Sequence, residues 1–468
     1  MEGGITRPMC KFLDALQNSF SALEKIVWES LVATHQEMLS ELLSQLDEEL
    51  KEQRDKARYV LKDMKTREIA TRVGPIRFKR SYYRDTETNE WVFLLDEHLG
   101  LEARSRTSEL VREDAVTAAV SGKSYREAAA EIERQNTGVS ASHESIRQWT
   151  INTGEVLEQQ ARLEAQKLNG KKQVPVLFIE ADGFWVSIQK GKRQELRFAV
   201  VHEGWEARGR KEYALINRQD IFPPTGKDFW EYVSAVVESR YDLSQSFVVI
   251  NGDRAAWIGK GTEWFLNALY QVDRFHLLRE IRQNLRQQPE LLKEAQAAVY
   301  ADDPSALLET LVKAIPGAGL KQREQIQRLH KDITSRPDMV ESYQSRLRKH
   351  GLELEGYRGM GSAEASVARF SGRLRRLGRS WSKRGIMAMA HAISGQGQGI
   401  LRHAVTIMEQ QLGLRELAKH VKQKTEILPE SYGFNCSLPI MNSGRGASGG
   451  LSRLMHNISR GSLNPRFI

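Results

Sequence analysis

The chain has 468 residues, is 40% hydrophobic and 28% charged, and carries a formal net charge of +9. That length exceeds one ordinary domain and supplies apolar side chains for more than one core. Two distant cysteines, Cys10 and Cys436, exclude a disulfide framework or a cysteine zinc site, no apolar run approaches the roughly 20 residues of a membrane span, and the excess positive charge suits a polyanionic partner.

No basic segment followed by an apolar core opens the chain, so a cytoplasmic location is expected. Residues 10–66 read as one or two long helices. Phe12, Leu13, Leu16, Phe20, Leu23, Ile26 and Val27 recur at three- and four-residue steps, and Met38, Leu39, Leu42, Leu43, Leu46 and Leu50 repeat the pattern. An αα-hairpin and a coiled-coil dimer both fit this pattern. A small β region follows, with strands over Glu68–Val73, Ile76–Tyr83 and Trp91–Leu94 separated by Gly74-Pro75 and by the turn-rich 85–89.

Residues 107–152 read as three short helices. Ser124 and Glu127 form a capping-box pair. Asn136-Thr137-Gly138 supplies a turn, and a third helix starts near Ser140 or Ser142 with Ile146 and Trp149 inward. His143, Glu144, Arg147 and Gln148 then lie on its outer face. This is the layout of a helix-turn-helix, whose second helix reads the major groove of DNA, although any antiparallel helix pair shares it. Arg147 and Gln148 are the types that form bidentate contacts to guanine and adenine.

Two short apolar runs come next, each leading to an acid: Val176–Ile179 to Glu180 and Asp182, and Phe247–Ile250 to Asp253. Between them, Phe184–Gln189 and Glu195–Val201 read as a hairpin around Lys190-Gly191-Lys192, and 228–238 as an amphipathic helix with Phe229, Trp230, Val233, Val236 and Val237 inward. A helix over 262–267 and a strand over 269–272 follow, leading to Asp273 and His276. The order βββ-α-β-α-β, with acids at the ends of strands one and four, is the pattern of a ribonuclease-H-like core. Glycines beside Asp182 and Asp253 are expected to permit tight turns. Two acids brought together at strand ends repel unless a cation sits between them, and carboxylates are hard ligands suited to Mg²⁺ or Mn²⁺. Read singly, each acid is a turn residue, and Asp273-x-x-His276 is a capping pair.

Residues 277–360 read as helical, broken at Pro289, Pro304, Pro316 and Pro337, and 361–424 as helical again. From Arg346 to Arg384 there are 11 Lys/Arg against 3 Glu, a concentration of charge that suits nucleic acid. From about Pro429 onward Gly, Ser, Asn and Arg dominate, with no regular structure expected beyond a short helix near 451–457.

Several stretches resemble bacterial insertion-sequence transposases of the DDE superclass, the ISLre-type family. They are TRVGPIRFKRSYYRD (71–85), SYREAAAEI with SHESIRQW, IEADGFWV (179–186), INGDRAAWI (250–258), QVDRFHLLREI (271–281) and GSAEASVARFSGRLRRLGRSWSKRG (361–385). The resemblance covers about residues 60–400. It implies a Mg²⁺-dependent polynucleotidyl transferase, with Mn²⁺ substituting, that cleaves and joins DNA at the ends of its insertion sequence by two-metal phosphoryl transfer. Asp182 and Asp253 match the first two catalytic, metal-binding acids, and Glu364 matches the third. Where members of the family carry Gly and His after that glutamate, this chain has Ala365 and Ser366.

The expected fold is therefore multidomain α and α/β. It comprises a helical, oligomerising region over 1–66, a small β region over 67–106, a helix-turn-helix DNA-binding region over 107–155, a ribonuclease-H-like core beginning over 170–280, an all-helical insertion over 281–360, closing helices with the third acid over 361–424 and a basic Gly/Ser-rich tail over 425–468. Ser362 is expected to cap the helix carrying Glu364, with Glu353, Glu355 and Asp273 as rivals for the third acid. Glu180, Asp273 and His276 are accessory candidates. His143, Arg147, Gln148, Arg369, Arg373, Arg375, Arg376 and Arg379 are the DNA-binding candidates. The partners implied are double-stranded DNA (terminal inverted repeats and target) and further copies of the chain in a homodimer or larger synaptic assembly, on a bacterial nucleoid. A related metal-dependent nuclease and a repurposed, non-catalytic DNA-binding protein are the alternatives.

Overall fold

The computed structural model describes residues 19–408, apart from 103–104, 136–137, 168–169, 211, 225 and 377. The expectations for residues 10–18, for 409–424 and for the tail lie outside the described residues. Two compact units are present. One contains Lys123–Thr153 with the chain before Ala119 and after Arg402, and the other contains Gly154–Leu401 with Val120–Gly122. Among the described residues no helix is long and apolar enough to cross a membrane.

In the first unit α1 (Phe20–Gln53) begins at Ser19, whose side chain accepts from the Ala22 amide. The sheet beside it is antiparallel: β1 (Tyr59–Thr71), β2 (Gly74–Asp85) and β3 (Trp91–Val92), in that order. Leu39, Leu43, Leu46 and Leu50 of α1 pack on Ile69, Ile76 and Phe78 of the sheet and on Leu95 of α2 (Leu94–His98). The buried Asp47 carboxylate accepts from the Ser81 amide at 2.9 Å and the Ser81 hydroxyl at 2.7 Å, tying helix to sheet. The helix is thus shorter than the 10–66 expected, because 59–66 is strand. Tyr59 to Thr66 pair with Asp85 to Lys79, and this long-range ladder overrides a local sequence that suits a helix equally well.

The same unit holds α3 (Glu109–Val120), α4 (Tyr125–Gln135) and the start of α5 (His143–Ala165), around Val111, Ala115, Ala119, Ala128, Ile132, Val139 and Ile146. The capping box is reciprocal: the Ser124 amide donates to Glu127 Oε2 at 2.6 Å, and the Glu127 amide donates to Ser124 Oγ at 3.1 Å. The third helix is longer than expected, running on to Ala165.

In the second unit a five-stranded sheet is built from β4 (Val176–Ile188), β5 (Lys192–His202), β8 (Gln219–Ile221), β9 (Phe247–Gly252) and β10 (Ala268–Val272). A separate ribbon, β6 (Trp205–Gly209) and β7 (Glu212–Leu215), lies between β5 and β8 in the chain. The sheet order is β10-β9-β4-β5-β8. β4, β5 and β8 pair antiparallel, whereas β4, β9 and β10 pair parallel. The three leading strands are not those expected. The run ending at Asp182 and the run from Phe184 are one continuous strand, and the third strand is β8, a three-residue element too short to show a pattern of its own. The hairpin turn lies at Lys190-Gly191, both at positive φ.

Both faces of the sheet are covered. Val176, Phe178 and Val249 meet Tyr343 and Leu347 of α12 (Tyr343–Lys349). On the other face, Leu177, Ile179, Ala181, Val248 and Ile250 pack with Trp230, Val233, Val236 and Val237 of α6 (Phe229–Glu238). This core continues into α8 (Arg274–Asn284), α9 (Pro289–Tyr300), α10 (Pro304–Ala314) and α11 (Leu320–Ser335). Pro289 and Pro304 occupy first helical turns, where a missing N–H is tolerated. The helix expected over 262–267 comes earlier, as α7 (Ala256–Gly259) and a 3₁₀ turn over Lys260–Trp264. Gly261 lies there against the Trp230 ring, where a Cβ would approach to 2.4 Å. α13 (Ser362–Leu374) returns to the sheet through Phe370, which packs against Phe184, Phe198 and Phe222. α14 (Lys383–Gly397) follows and is buried from Gly385 to Gly395.

Candidate functional site

Asp182 and Asp253 both lie where the sheet forks. β4 pairs with β5 from Phe178 to Ile188, but with parallel β9 only from Val176 to Glu180. Beyond Glu180 one edge of β4 loses its partner, and Asp182 stands at that opening rather than at a strand end. β9 stops at Gly252, so Asp253 leaves the sheet beside the same opening. Neither glycine is at positive φ. Gly252 is required instead for close approach: a Cβ there would lie 2.7 Å from Ile258 Cδ1 and 2.9 Å from the Ala181 carbonyl oxygen.

Asp182 is half-buried and accepts from the Gly183 amide at 2.6 Å. Burial pushes its carboxyl up to about 6, and the charges of Asp253 and Glu364 push the same way, against His276. Asp182 therefore has both other matched acids and one histidine within electrostatic reach. Asp253 Oδ1 accepts from the Ala255 amide at 2.9 Å. Glu364 sits in the first turn of α13 with its side chain 56% exposed. Glu353 and Glu355 are exposed.

Asp273 begins α8 as its N-cap, accepting from the amides of Phe275 at 2.8 Å and His276 at 3.1 Å. Burial raises this carboxyl, but His276, through its ring and its amide, and Asn251 together bring it below its ordinary value. Asp273 is thus spent on the helix start, as its capping reading implies. His276 has Nδ1 3.5 Å from Asp273 Oδ1 and Nε2 3.9 Å from Glu364 Oε2. The Asp273 carboxylate, helped by Asp182 and Glu364 and opposed by burial, raises the imidazole above its ordinary value.

Glu180, an accessory candidate in the sequence, is fully buried, and its oxygens accept from His202, Asn251, Gly361, Ser362 and Ala363. Ser362 accordingly does not cap α13. It is the first helical residue, and its hydroxyl donates to Glu180 Oε1 at 2.6 Å. Asn251, which sequence reasoning missed, pairs laterally with Glu180 and donates to both Glu180 and Asp273. Its place beside Gly252-Asp253 was the available signal. Among the described residues no three His, Cys, Asp or Glu side chains form a ready-made metal cage.

The basic candidates divide sharply. Arg369 is paired with Asp220. Arg373 is 3% exposed, its guanidinium 4.8 Å from the Trp381 ring centroid. Arg379 donates to the carbonyls of Arg373 at 2.9 Å and Gly122 at 2.6 Å. These three DNA-binding candidates are engaged with partners inside the fold. Arg375 and Arg376 are exposed. In the other unit, His143 and Glu144 are exposed on α5, Arg147 pairs with Glu144 at 2.6 Å, and Gln148 donates to Asn152 at 2.7 Å. Ile146 is buried and Trp149 packs against the same core, as the periodicity predicts.

The profile of an uncharacterised protein family, UPF0236, matches residues 16–411. A UPF0236 protein of Caldanaerobacter subterraneus subsp. tengcongensis, whose name joins eleven locus designations, is 26% identical over 395 residues, covering 82% of this chain and 80% of its own. A Streptococcus gallolyticus protein, named as a UPF0236 protein in the vanSb 3′ region, is 27% identical, covering 81% of this chain and 83% of its own. Among solved structures, a chain of the Drosophila P element transposase strand transfer complex is 9% identical, covering 72% of this chain and 90% of its own at a TM-score of 0.22. At that score the likeness carries no argument about this chain.

Proposed function

We propose, from the premise that this chain belongs to the uncharacterised protein family UPF0236, that it is a DDE transposase that cleaves and joins DNA at the ends of its own element. One observation carries the reading: Asp253, beside a parallel strand, and Glu364, at a distant helix start, both stand within electrostatic reach of Asp182. A strand order with an antiparallel β8-β5-β4 side and a parallel β9-β10 side supports a ribonuclease-H-like core. The helices between β10 and α13 support the all-helical insertion that the resemblance implies. A relative whose name joins eleven loci of one organism supports a gene that multiplies within a genome.

The donor set fits Mg²⁺, with Mn²⁺ substituting: three carboxylates, hard oxygen ligands whose mutual repulsion a divalent cation relieves. Bound there, such ions supply charge neutralisation and Lewis acidity at a phosphodiester. The chain's own groups do the rest. Asp182, Asp253 and Glu364 would hold the ions, and His276, its proton held more tightly beside Asp273, presents Nε2 next to Glu364 where a phosphate oxygen could be met. The helices α4 and α5 serve as the helix-turn-helix, with Arg147 and Gln148 toward the bases of the terminal repeat. The exposed Trp28, Leu31, Met38 and Leu42 of α1 support a homodimer or larger synaptic assembly on bacterial DNA.

The test is a strand-transfer assay with plasmid-borne element ends and Mn²⁺. Cleavage at the ends followed by joining to target DNA is the expected result. Cleavage without joining would instead identify a nuclease, and specific binding without cleavage a repurposed DNA-binding protein.

A further inference from the structure

Glu180 lies two residues before Asp182 on the same face of β4 and is 0% exposed. Its Oε1 accepts from Ser362 Oγ at 2.6 Å and from His202 Nε2 at 3.3 Å. Its Oε2 accepts from the amides of Gly361 at 2.9 Å and Ala363 at 3.3 Å, and from Asn251 Nδ2 at 3.3 Å. A carboxylate offers about four lone-pair sites, so these donors leave it no capacity for a cation. An ionised carboxylate with 0% exposure persists only if hydrogen bonds and opposite partial charge offset its desolvation, and the start of a helix offers both.

The helix in question lacks a cap of its own. Gly361, at the N-cap position of α13, has no side chain to bond the free amides of the first turn. Glu180 supplies that cap from the neighbouring strand, and through Asn251 the same carboxylate reaches β9 one residue before Gly252-Asp253. One side chain therefore joins β4 and α13, which carry Asp182 and Glu364, to β9, which leads into Asp253.

We infer that Glu180 is a positioning residue that latches the start of α13 to β4 and β9, and so sets the place of Glu364 relative to Asp182 and Asp253. The inference rests on the transposase reading for its consequence, but the latch itself does not depend on it. This assignment also moves Glu180 out of the ligand set, even though it shares a face with Asp182.

The test uses the full chain with Glu180→Gln and, because that variant disturbs a buried charge, Ser362→Ala as a gentler cut of the same latch. Three quantities are measured: amide hydrogen exchange over 361–364, Mn²⁺ affinity by calorimetry without DNA, and the thermal midpoint. A latch predicts exchange at 361–364 faster by about tenfold or more in either folded variant. It also predicts Mn²⁺ affinity weaker by about tenfold, as removal of an outer partner of a metal ligand commonly causes. A purely structural glutamate would lower the thermal midpoint and leave the Mn²⁺ affinity of the folded protein unchanged, which would overturn the inference. Unchanged exchange at 361–364 would overturn it as well. Asp182→Asn serves as the control, expected to abolish Mn²⁺ binding with no change in exchange at 361–364. If the unaltered chain binds no Mn²⁺, the metal-dependent reading fails, and with it the positioning role, whereas the exchange arm still decides whether Glu180 holds the helix.

Discussion

His276 Nε2 lies 3.9 Å from Glu364 Oε2, joining the first turn of α8 to the first turn of α13 across the whole helical segment between them. Through Nδ1 the same ring leans on Asp273, so the histidine is held between a buried carboxylate and an exposed one. The pairing places Glu364, distant in the chain, beside the opening where β4 parts from β9.

Replacing the strand acids tests the metal reading most directly. Asp182→Asn or Asp253→Asn removes one ligand charge while conserving shape. Each is expected to reduce Mn²⁺-dependent DNA cleavage by at least about 10²-fold, the scale on which removal of one charge-stabilising group is felt. DNA affinity should stay within about twofold, since positioning on the duplex comes from other surfaces. Cleavage assays paired with binding isotherms check both halves, and full cleavage by either variant would remove that acid from the site.

The raised carboxyl of Asp182 predicts a pH dependence of stability. Its folded value of about 6 lies above its unfolded value of 3.8, so the native state holds the proton more tightly. That contribution is fully present below pH 3.8 and is lost as pH rises through about 6. Above that, the charged, metal-free group costs about 1–3 kcal/mol. Metal-free Asp182→Asn should therefore melt higher than the unaltered chain at pH 7.5, with the gap closing toward pH 4. Saturating Mn²⁺ should reverse the order. Parallel melting curves across that range would show that Asp182 is not perturbed.

The third acid can be separated from its rivals by substitution. Glu364→Gln is expected to lose cleavage as Asp182→Asn does, and Glu355→Gln to keep it, because Glu364 is among the main charges acting on Asp182. Asp273→Ala should destabilise α8 by about 0.5–2 kcal/mol through loss of its cap, and lower the His276 pKa by removing its main anionic neighbour. NMR titration of His276 in that variant reads the second effect. Full activity in Glu364→Gln with loss in Glu355→Gln would transfer the role.

Basic side chains near the site predict a DNA track other than the one expected from 369–379. Phe275, Arg279 and Arg282 share an exposed face of α8, and Arg286 follows its end. Among the described residues Arg279, Arg282 and Arg286 make no ion pair, whereas Arg254, Arg274 and Arg346 are each tied to acids. Replacing all three by Ala should weaken DNA binding and flatten the slope of log affinity against log salt by about 3, near one for each phosphate no longer neutralised. An unchanged slope would place the DNA backbone on another surface. Arg373→Ala, by contrast, is expected to destabilise the fold, since that guanidinium lies buried against Trp381.

Local sequence determined much of this protein. The two-residue period along 176–182 puts Glu180 and Asp182 on one face, the Ser124/Glu127 spacing specifies a helix start, and prolines 289 and 304 mark where helices begin. Each is decided by atoms a few residues apart, so the local code suffices. What lay beyond it was decided by pairing across long distances. Residues 59–66 became strand because β2 offered hydrogen bonds that a solvent-facing helix turn would not surpass. Phe184 continued β4 because β5 pairs with it from Phe178 through Ile188, and the side chains named as DNA-binding candidates at Arg369, Arg373 and Arg379 turn instead to Asp220, Trp381 and backbone carbonyls. The choice between ligand and latch at Glu180 is the clearest case. Its neighbours in the chain suit a metal ligand, and only the arrival of α13, whose first amides have no cap of their own, determines that the carboxylate is spent on holding Glu364 in place.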